Sequence, residues 1–210
     1  TNQSVTLAWL AHIYGDLVQQ QPCTLVYWYG LGNAWYLQGR IRAANRVWHR
    51  AVLLFPDSLY VHFQLARTCS DEELDTKRAV AHLRWIIANT DARAWLCRAQ
   101  AQLARRLLRL KRYKETLDAA ERSVAYIHTG RDTELLPAYV DARRSQCTAL
   151  LELGDLDRAA AALVDAAGAM PHDQRLQEEV ADLYYTLATA QENVNKSYAD
   201  KALLWLDRAG

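Results

Sequence analysis

The residues that could carry covalent or acid–base chemistry are scattered along the chain and form no motif. Of the six histidines, His62 lies seven residues before Cys69. Two helical turns would separate this pair by about 10 Å, too far for a Cys–His dyad, in which the thiol and the imidazole must be hydrogen-bonded. No phosphate-binding glycine loop, nucleophile elbow or zinc-protease motif occurs. The sequence therefore predicts that the protein is not an enzyme and has no cofactor.

Acidic and thiol side chains indicate no metal site either. The acidic residues between positions 71 and 75 form one charge run of the kind found in solvated turns. The sequence contains no Cys-x-x-Cys pair, the pattern that would indicate a zinc site or a redox disulfide. Its four cysteines lie far apart in the sequence, at Cys23, Cys69, Cys97 and Cys147. Single buried thiols are typical of a reducing compartment, so we expect an intracellular, cytoplasmic location.

Charge divides the chain into a basic middle and an acidic end, although the total is almost neutral. Lys and Arg number 25 and Asp and Glu number 24, which gives a formal net charge of +1 at pH 7. Residues 93–114 contain eight basic side chains and no acidic one, a pattern that could attract a nucleic-acid backbone. Aromatic residues are not interleaved with these basic ones, as a base-stacking surface would require.

Prolines recur at a spacing that indicates an internal repeat. Pro22 and Pro56 are 34 residues apart, and so are Pro137 and Pro171. A proline cannot continue a helix, so at this period it can end one helical unit before the next begins. Only eight glycines and four prolines occur in 210 residues, too few for an all-β fold with many short strands. The sequence therefore predicts an all-α repeat protein.

The clearest repeat covers residues 25–58. Trp28, Leu31 and Trp35 fall at i, i+3 and i+7, on one face of a first helix. The positions that complete the pattern are Gly32, Gly39, Ala44, Trp48, Ala51 and Pro56. This pattern resembles the tetratricopeptide repeat, a family whose 34-residue unit folds as two antiparallel helices. Small residues at positions 32 and 44 would let the two helix backbones approach each other.

The resemblance extends over nearly the whole chain and implies its fold class. We expect an all-α, right-handed α-α superhelix, a tetratricopeptide-like solenoid of about five helical hairpins plus an N-terminal helix, in a single repeat domain over residues 1–210. Residues 4–22 fit the second helix of a truncated repeat, so we expect the sequence to be a fragment of a larger protein. The full repeats fit the ranges 25–58, 59–91, 97–130, 140–173 and 174–210.

The resemblance also implies a function. In this family the concave surface formed by the first helices of the repeats commonly binds an extended peptide, so we expect a non-catalytic protein–protein interaction scaffold. The family's groove positions fall here on aromatic residues first and on arginines further along the chain. The predicted partner-binding groove comprises Val26, Tyr29, Asn33, Tyr36, Tyr60, Phe63, Arg67, Arg98, Arg105 and Arg144.

The composition of this groove predicts the chemistry of its ligand. Tyr and Phe offer rigid contact area, and Arg binds carboxylates through two parallel hydrogen bonds. We expect a segment with apolar or aromatic residues next to Asp or Glu, from another protein or from the parent protein, and no membrane partner. The arginines could instead form a solvated face with neighbouring carboxylates. Two other functions stay open: a regulatory or sensor repeat domain that controls a fused enzyme or ATPase, and nucleic-acid binding through residues 93–114.

Overall fold

The computed structural model of the chain describes residues 2–70, 72–127, 131–189 and 196–209. These residues form α-helices and no strand, which confirms the predicted all-α class. The first helices are α1 (Asn2–Gln20), α2 (Leu25–Leu37), α3 (Ile41–Leu54), α4 (Leu59–Thr68) and α5 (Glu73–Ala88). They are followed by α6 (Arg93–Arg109), α7 (Tyr113–Ala125), α8 (Leu136–Glu152), α9 (Leu156–Ala169), α10 (Gln174–Thr189) and α11 (Lys196–Ala209). None of these helices is both long and apolar enough to cross a bilayer.

The helices divide into two compact units, Thr1–Asn89 and Thr90–Gly210. In unit 1, each of the helices α1 to α5 packs against the next one in the sequence. In unit 2, helices α6 to α11 do the same, and α6 also packs against α8. Within each unit, most connections between successive helices are three or four residues long, which is typical of antiparallel helical hairpins.

The turn inside a hairpin has the same backbone geometry in three places. Gly39, Lys111 and Gly154 each stand two residues before a second helix and adopt φ values of 74°, 56° and 81°. In each turn, the following backbone N–H donates to a carbonyl five residues earlier: Arg40 to Trp35 at 3.0 Å, Arg112 to Leu107 at 3.0 Å and Asp155 to Leu150 at 2.9 Å. These bonds form the Schellman motif that satisfies the last carbonyls of a helix. Three hairpins therefore turn in the same way.

A tryptophan fills the closest approach in the first hairpin. The Trp48 side chain is completely buried, and a Cβ atom added at Gly32 would collide with its indole ring. The glycine therefore makes room for the indole, whereas the sequence pattern predicted room for the backbone of the partner helix. Gly30 does the same for the ring of Tyr14 on α1. Two glycines of α2 thus set how closely the neighbouring helices pack against it.

Two helices of unit 2 begin before the predicted repeats to which they belong. Helix α6 begins at Arg93 and α8 at Leu136, each four residues before the predicted start of its repeat. Pro137 lies in the first turn of α8. Backbone N–H groups of the first turn have no acceptor within the helix, so a proline there costs no helical hydrogen bond. A short 3-10 turn at Thr133–Leu135 precedes α8. Residues 128–130, at the end of the predicted third repeat, lie outside the described residues.

The Gly32 contact can be tested with two glycine substitutions in helix interiors. We expect Gly32→Ala to destabilise the protein by about 1–3 kcal/mol, because the new Cβ displaces the buried Trp48 ring. Gly15→Ala in α1 is the matched control, since nothing lies within 4 Å of its added Cβ. Ala is the better helix former, so this variant should gain up to about 1 kcal/mol. Urea unfolding measures the free energy of unfolding of both variants. Equal effects of the two substitutions would contradict a requirement for glycine beside the Trp48 ring.

The second hairpin turn carries strain that a glycine would relieve. Lys111 is the described non-glycine residue with positive φ, in the position that Gly39 and Gly154 occupy in the other two turns. We expect Lys111→Gly to stabilise the protein by about 0.5–1 kcal/mol, because glycine has no Cβ penalty in this region. Lys114→Gly, inside α7, should instead cost about 1 kcal/mol. A loss of stability in Lys111→Gly, measured by thermal unfolding, would argue against a strained turn.

Candidate functional site

Five residues of the predicted groove meet on one surface of unit 1. The rings of Tyr29 on α2 and Tyr60 on α4 have their centroids 4.5 Å apart at an interplanar angle of 41°. The Tyr60 hydroxyl donates a hydrogen bond of 3.2 Å to Asn33 Oδ1. The Arg67 guanidinium lies 4.0 Å from the centroid of the Tyr36 ring. We call these five residues, three from α2 and two from α4, the α2–α4 patch.

The buried core of unit 1 contacts the α2–α4 patch through Trp48. Tyr60 meets the buried Trp48 in an edge-to-face contact, with the ring centroids 5.7 Å apart. Burial raises the pKa of Tyr60 above its ordinary value, so the phenol stays protonated and can donate to Asn33. Ser58 caps α4 by accepting a hydrogen bond from the backbone N–H of Val61. The position of Tyr60 is therefore fixed by core packing and by the start of its own helix.

The other two predicted residues of unit 1 lie on the same two helices as the patch. Val26 precedes Tyr29 by one helical turn, and the two side chains are 64% and 46% exposed. Phe63 lies on α4 between Tyr60 and Arg67 and is half-buried. Val26 and Tyr29 therefore leave apolar side-chain surface exposed on α2.

The three predicted arginines of unit 2 have different surroundings. Arg144 on α8 forms a two-point ion pair with Glu179 on α10, with both N–H···O distances at 2.7 Å. Arg98 and Arg105 lie on α6. Burial raises the pKa of Asp141, while the charges of Arg105 and Arg144 oppose that rise, so these groups share one region. Arg144 is therefore already bound to a carboxylate of its own chain.

The basic stretch 93–114 is partly neutralised within the chain. Arg93 donates to Asp132 at 2.7 Å, and Arg112 makes two hydrogen bonds, of 2.6 and 2.7 Å, to Glu115. Side chains engaged in this way offer less charge to a phosphate backbone. The basic surface is therefore smaller than the formal charge of the stretch indicates.

A histidine pair links α4 and α5. His62 is 8% exposed, and its Nδ1 lies 2.9 Å from His82 Nδ1. Its Nε2 lies 2.8 Å from the carbonyl oxygen of Pro56, which can only accept, so His62 carries its proton on Nε2 and accepts from His82. The His62 ring also stacks on Trp85, with centroids 3.8 Å apart. Both ring nitrogens of His62 are thus used, which leaves none for Cys69.

The thiols and acidic residues of the described ranges form no cluster of metal-ligand type. No three His, Cys, Asp or Glu side chains there lie together as a metal ion would require. Cys97 and Cys147 are buried as expected, whereas Cys69 is partly exposed and Cys23, in the turn after α1, is exposed. Burial raises the pKa of Cys147 to about 11 and that of Cys97 above its ordinary value, so these two thiols are poor nucleophiles.

No protein-family model and no curated protein matches the sequence. Solved structures do match it. MamA is 16% identical with a TM-score of 0.60, over 90% of this chain and 91% of that one. YrrB, a tetratricopeptide repeat protein with an unusual peptide-binding site, is 17% identical with a TM-score of 0.59, over 95% and 91%. PilF of Pseudomonas aeruginosa is 20% identical with a TM-score of 0.65, over 87% and 75%.

These likenesses show the fold. The chain has the tetratricopeptide-repeat fold that the pattern in residues 25–58 predicts. Identities of 16% to 20% carry no function from one protein to another, so the use of the surfaces must be argued from this chain's own residues. The number of hairpins and the assignment of groove residues stay predictions.

The histidine pair makes stability depend on pH. Burial, and then the neighbouring His62 and His49, lower the pKa of His82 from 6.5 to about 4. The unfolded chain binds this proton at a higher pH than the folded chain, so the stability present above pH 6.5 is lost as the pH falls towards about 4. Because His82 is only half-buried, we expect a loss of about 2 kcal/mol. Urea unfolding at about pH 7.5 and about pH 4.5 measures it. His82→Gln should lose clearly less stability over this range, and an equal loss would contradict the prediction.

Proposed function

We propose that this chain is a non-catalytic protein–protein interaction scaffold, and that the α2–α4 patch binds a segment of a partner protein. The observation that supports this most is the meeting of two tyrosine rings, an asparagine and a ring-stacked arginine from two helices on one surface. The segment would carry an aromatic or apolar residue next to Asp or Glu. Tyr29 and Val26 would contact the apolar residue, and Arg67 would contact the carboxylate.

The aromatic part of the patch suits a protein ligand because it is already ordered. The Tyr29 ring contacts Tyr60, which is held by Asn33 and by the buried Trp48. Binding therefore has few side-chain rotations left to restrict, and that lowers its entropic cost. The exposed half of Tyr29 and the exposed Val26 provide apolar surface for the partner to cover.

The position of Arg67 suits a carboxylate. Its guanidinium carbon lies over the Tyr36 ring, 4.0 Å from the ring centroid. Stacking uses the flat face of the guanidinium, whereas carboxylates bind to N–H groups in its plane. The contact with Tyr36 thus holds the charged group beside the aromatic surface, where a partner carboxylate could bind it.

The fold agrees with this proposal, whereas one predicted contact in unit 2 is already occupied. One structure with the same fold, YrrB, is described as having a peptide-binding site. In unit 2, a partner carboxylate would have to displace Glu179 from Arg144, so we assign contacts there to Arg98 and Arg105.

Selection from a library of random peptides of about 12 residues, displayed on phage and panned against the whole chain, tests the ligand class. We expect enriched peptides to place Trp, Tyr, Phe or Leu next to Asp or Glu. Enrichment of basic peptides, or no enrichment over an unrelated helical protein, would refute the proposed ligand.

Variants then test the site with one selected peptide. Arg67→Ala should weaken binding about tenfold or more, because it removes charge-assisted hydrogen bonds worth about 1.5–3 kcal/mol. Tyr29→Ala should weaken it as well, while Arg42→Ala, an exposed arginine of α3, should leave the affinity unchanged. The Arg98→Ala/Arg105→Ala double variant tests unit 2 separately. Unchanged peptide affinity in Arg67→Ala and Tyr29→Ala would exclude the α2–α4 patch as the site.

A further inference from the structure

A second concave site lies on another face of α2. A cleft of about 510 Å³ opens in unit 1 between α1 and α3, with α2 as its floor. The floor is formed by Trp28, Leu31 and Trp35, whereas the α2–α4 patch uses Tyr29, Asn33 and Tyr36 of the same helix. Both α1 and α3 pack against α2, but in the described part of unit 1 they do not pack against each other.

Short side chains on α1 keep this cleft open. Ala8, Ala11 and Gly15 face it at i, i+3 and i+7 of one helix. A Cβ atom added at Gly15 would have no other atom within 4 Å. Val18 and Val47 complete the apolar lining from the two walls. The volume falls in the range of about 300–1,000 Å³ that is typical of small-molecule sites.

The α3 wall of the cleft carries positive charge. Arg46 and Arg50 stand one turn apart, both exposed, and both line the opening. Among the described residues neither of them makes an ion pair or a hydrogen bond to a side chain. On the α1 wall, Asp16 is paired with His12 at 3.7 Å. Two guanidinium groups one turn apart, beside an indole floor, therefore offer an anion a place next to apolar surface.

We propose that this cleft binds a small amphipathic anion, with a flat aromatic body and one carboxylate or sulfonate group. The body lies against Trp28 and Trp35, and the anionic group lies between Arg46 and Arg50. This site shares no residue with the α2–α4 patch, so it can exist whether or not the patch binds a protein segment.

Calorimetric titration of the whole chain with 1-naphthaleneacetate tests the proposal, with the neutral 1-naphthaleneacetamide as the matched ligand. We expect saturable binding of one acid molecule per chain, about tenfold tighter than the amide, because charge-assisted hydrogen bonds add affinity that the amide lacks. In the Arg46→Gln/Arg50→Gln variant, the acid should bind no better than the amide, and the amide should bind as it does to the unaltered protein.

A filled cleft gives an independent test. Gly15→Leu places a side chain in the open space of the cleft and should abolish binding of both ligands. Its thermal unfolding midpoint should equal or exceed that of the unaltered protein, because Leu has a higher helix propensity than Gly. Gly168→Leu is the control, because Gly168 in α9 also has nothing within 4 Å of an added Cβ and lies in unit 2. Three results would refute the proposal. They are the absence of saturable binding, equal affinities for the acid and the amide, and equal ligand affinities in the Gly15→Leu and Gly168→Leu variants.

Discussion

The packing of the Trp48 indole against Gly32 is the contact on which the rest of unit 1 depends. The indole has no exposed surface, and any side chain at position 32 would displace it. It sets the separation of α2 and α3 on one side, and it meets the edge of the Tyr60 ring of α4 on the other. Trp48 therefore helps to fix Tyr60 and its hydrogen bond to Asn33, together with the Ser58 cap at the start of α4.

Helix α2 contributes residues to two different surfaces, because the helical period directs its side chains to different faces. One face carries the residues of the α2–α4 patch, and the face with Trp28, Leu31 and Trp35 forms the floor of the cleft. The glycines in α2 let Tyr14 and Trp48 pack closely without widening the hairpin. A single thirteen-residue helix thus contributes different residues to the proposed protein-contact surface and to the proposed small-molecule site.

The sequence predicts local structure here better than contacts between repeats. The i, i+3, i+7 spacing of Trp28, Leu31 and Trp35 is enough to place α2, and the family pattern brings Tyr29 and Tyr60 to the same surface. The pairing of Arg144 with Glu179, 35 residues later, has no signal in one sequence, because helical spacing gives the face of a residue and not its partner on another helix. The His62–His82 pair was missed for the same reason.

A double-mutant cycle between the protein and a selected peptide tests the central claim most directly. Arg67→Ala is combined with replacement of the peptide's acidic residue by Ala, and the four affinities give the coupling free energy of the two charges. A carboxylate bound by the ring-stacked guanidinium predicts a coupling of at least about 1 kcal/mol that weakens as salt is raised. A coupling of zero, with both single changes additive, would contradict the account.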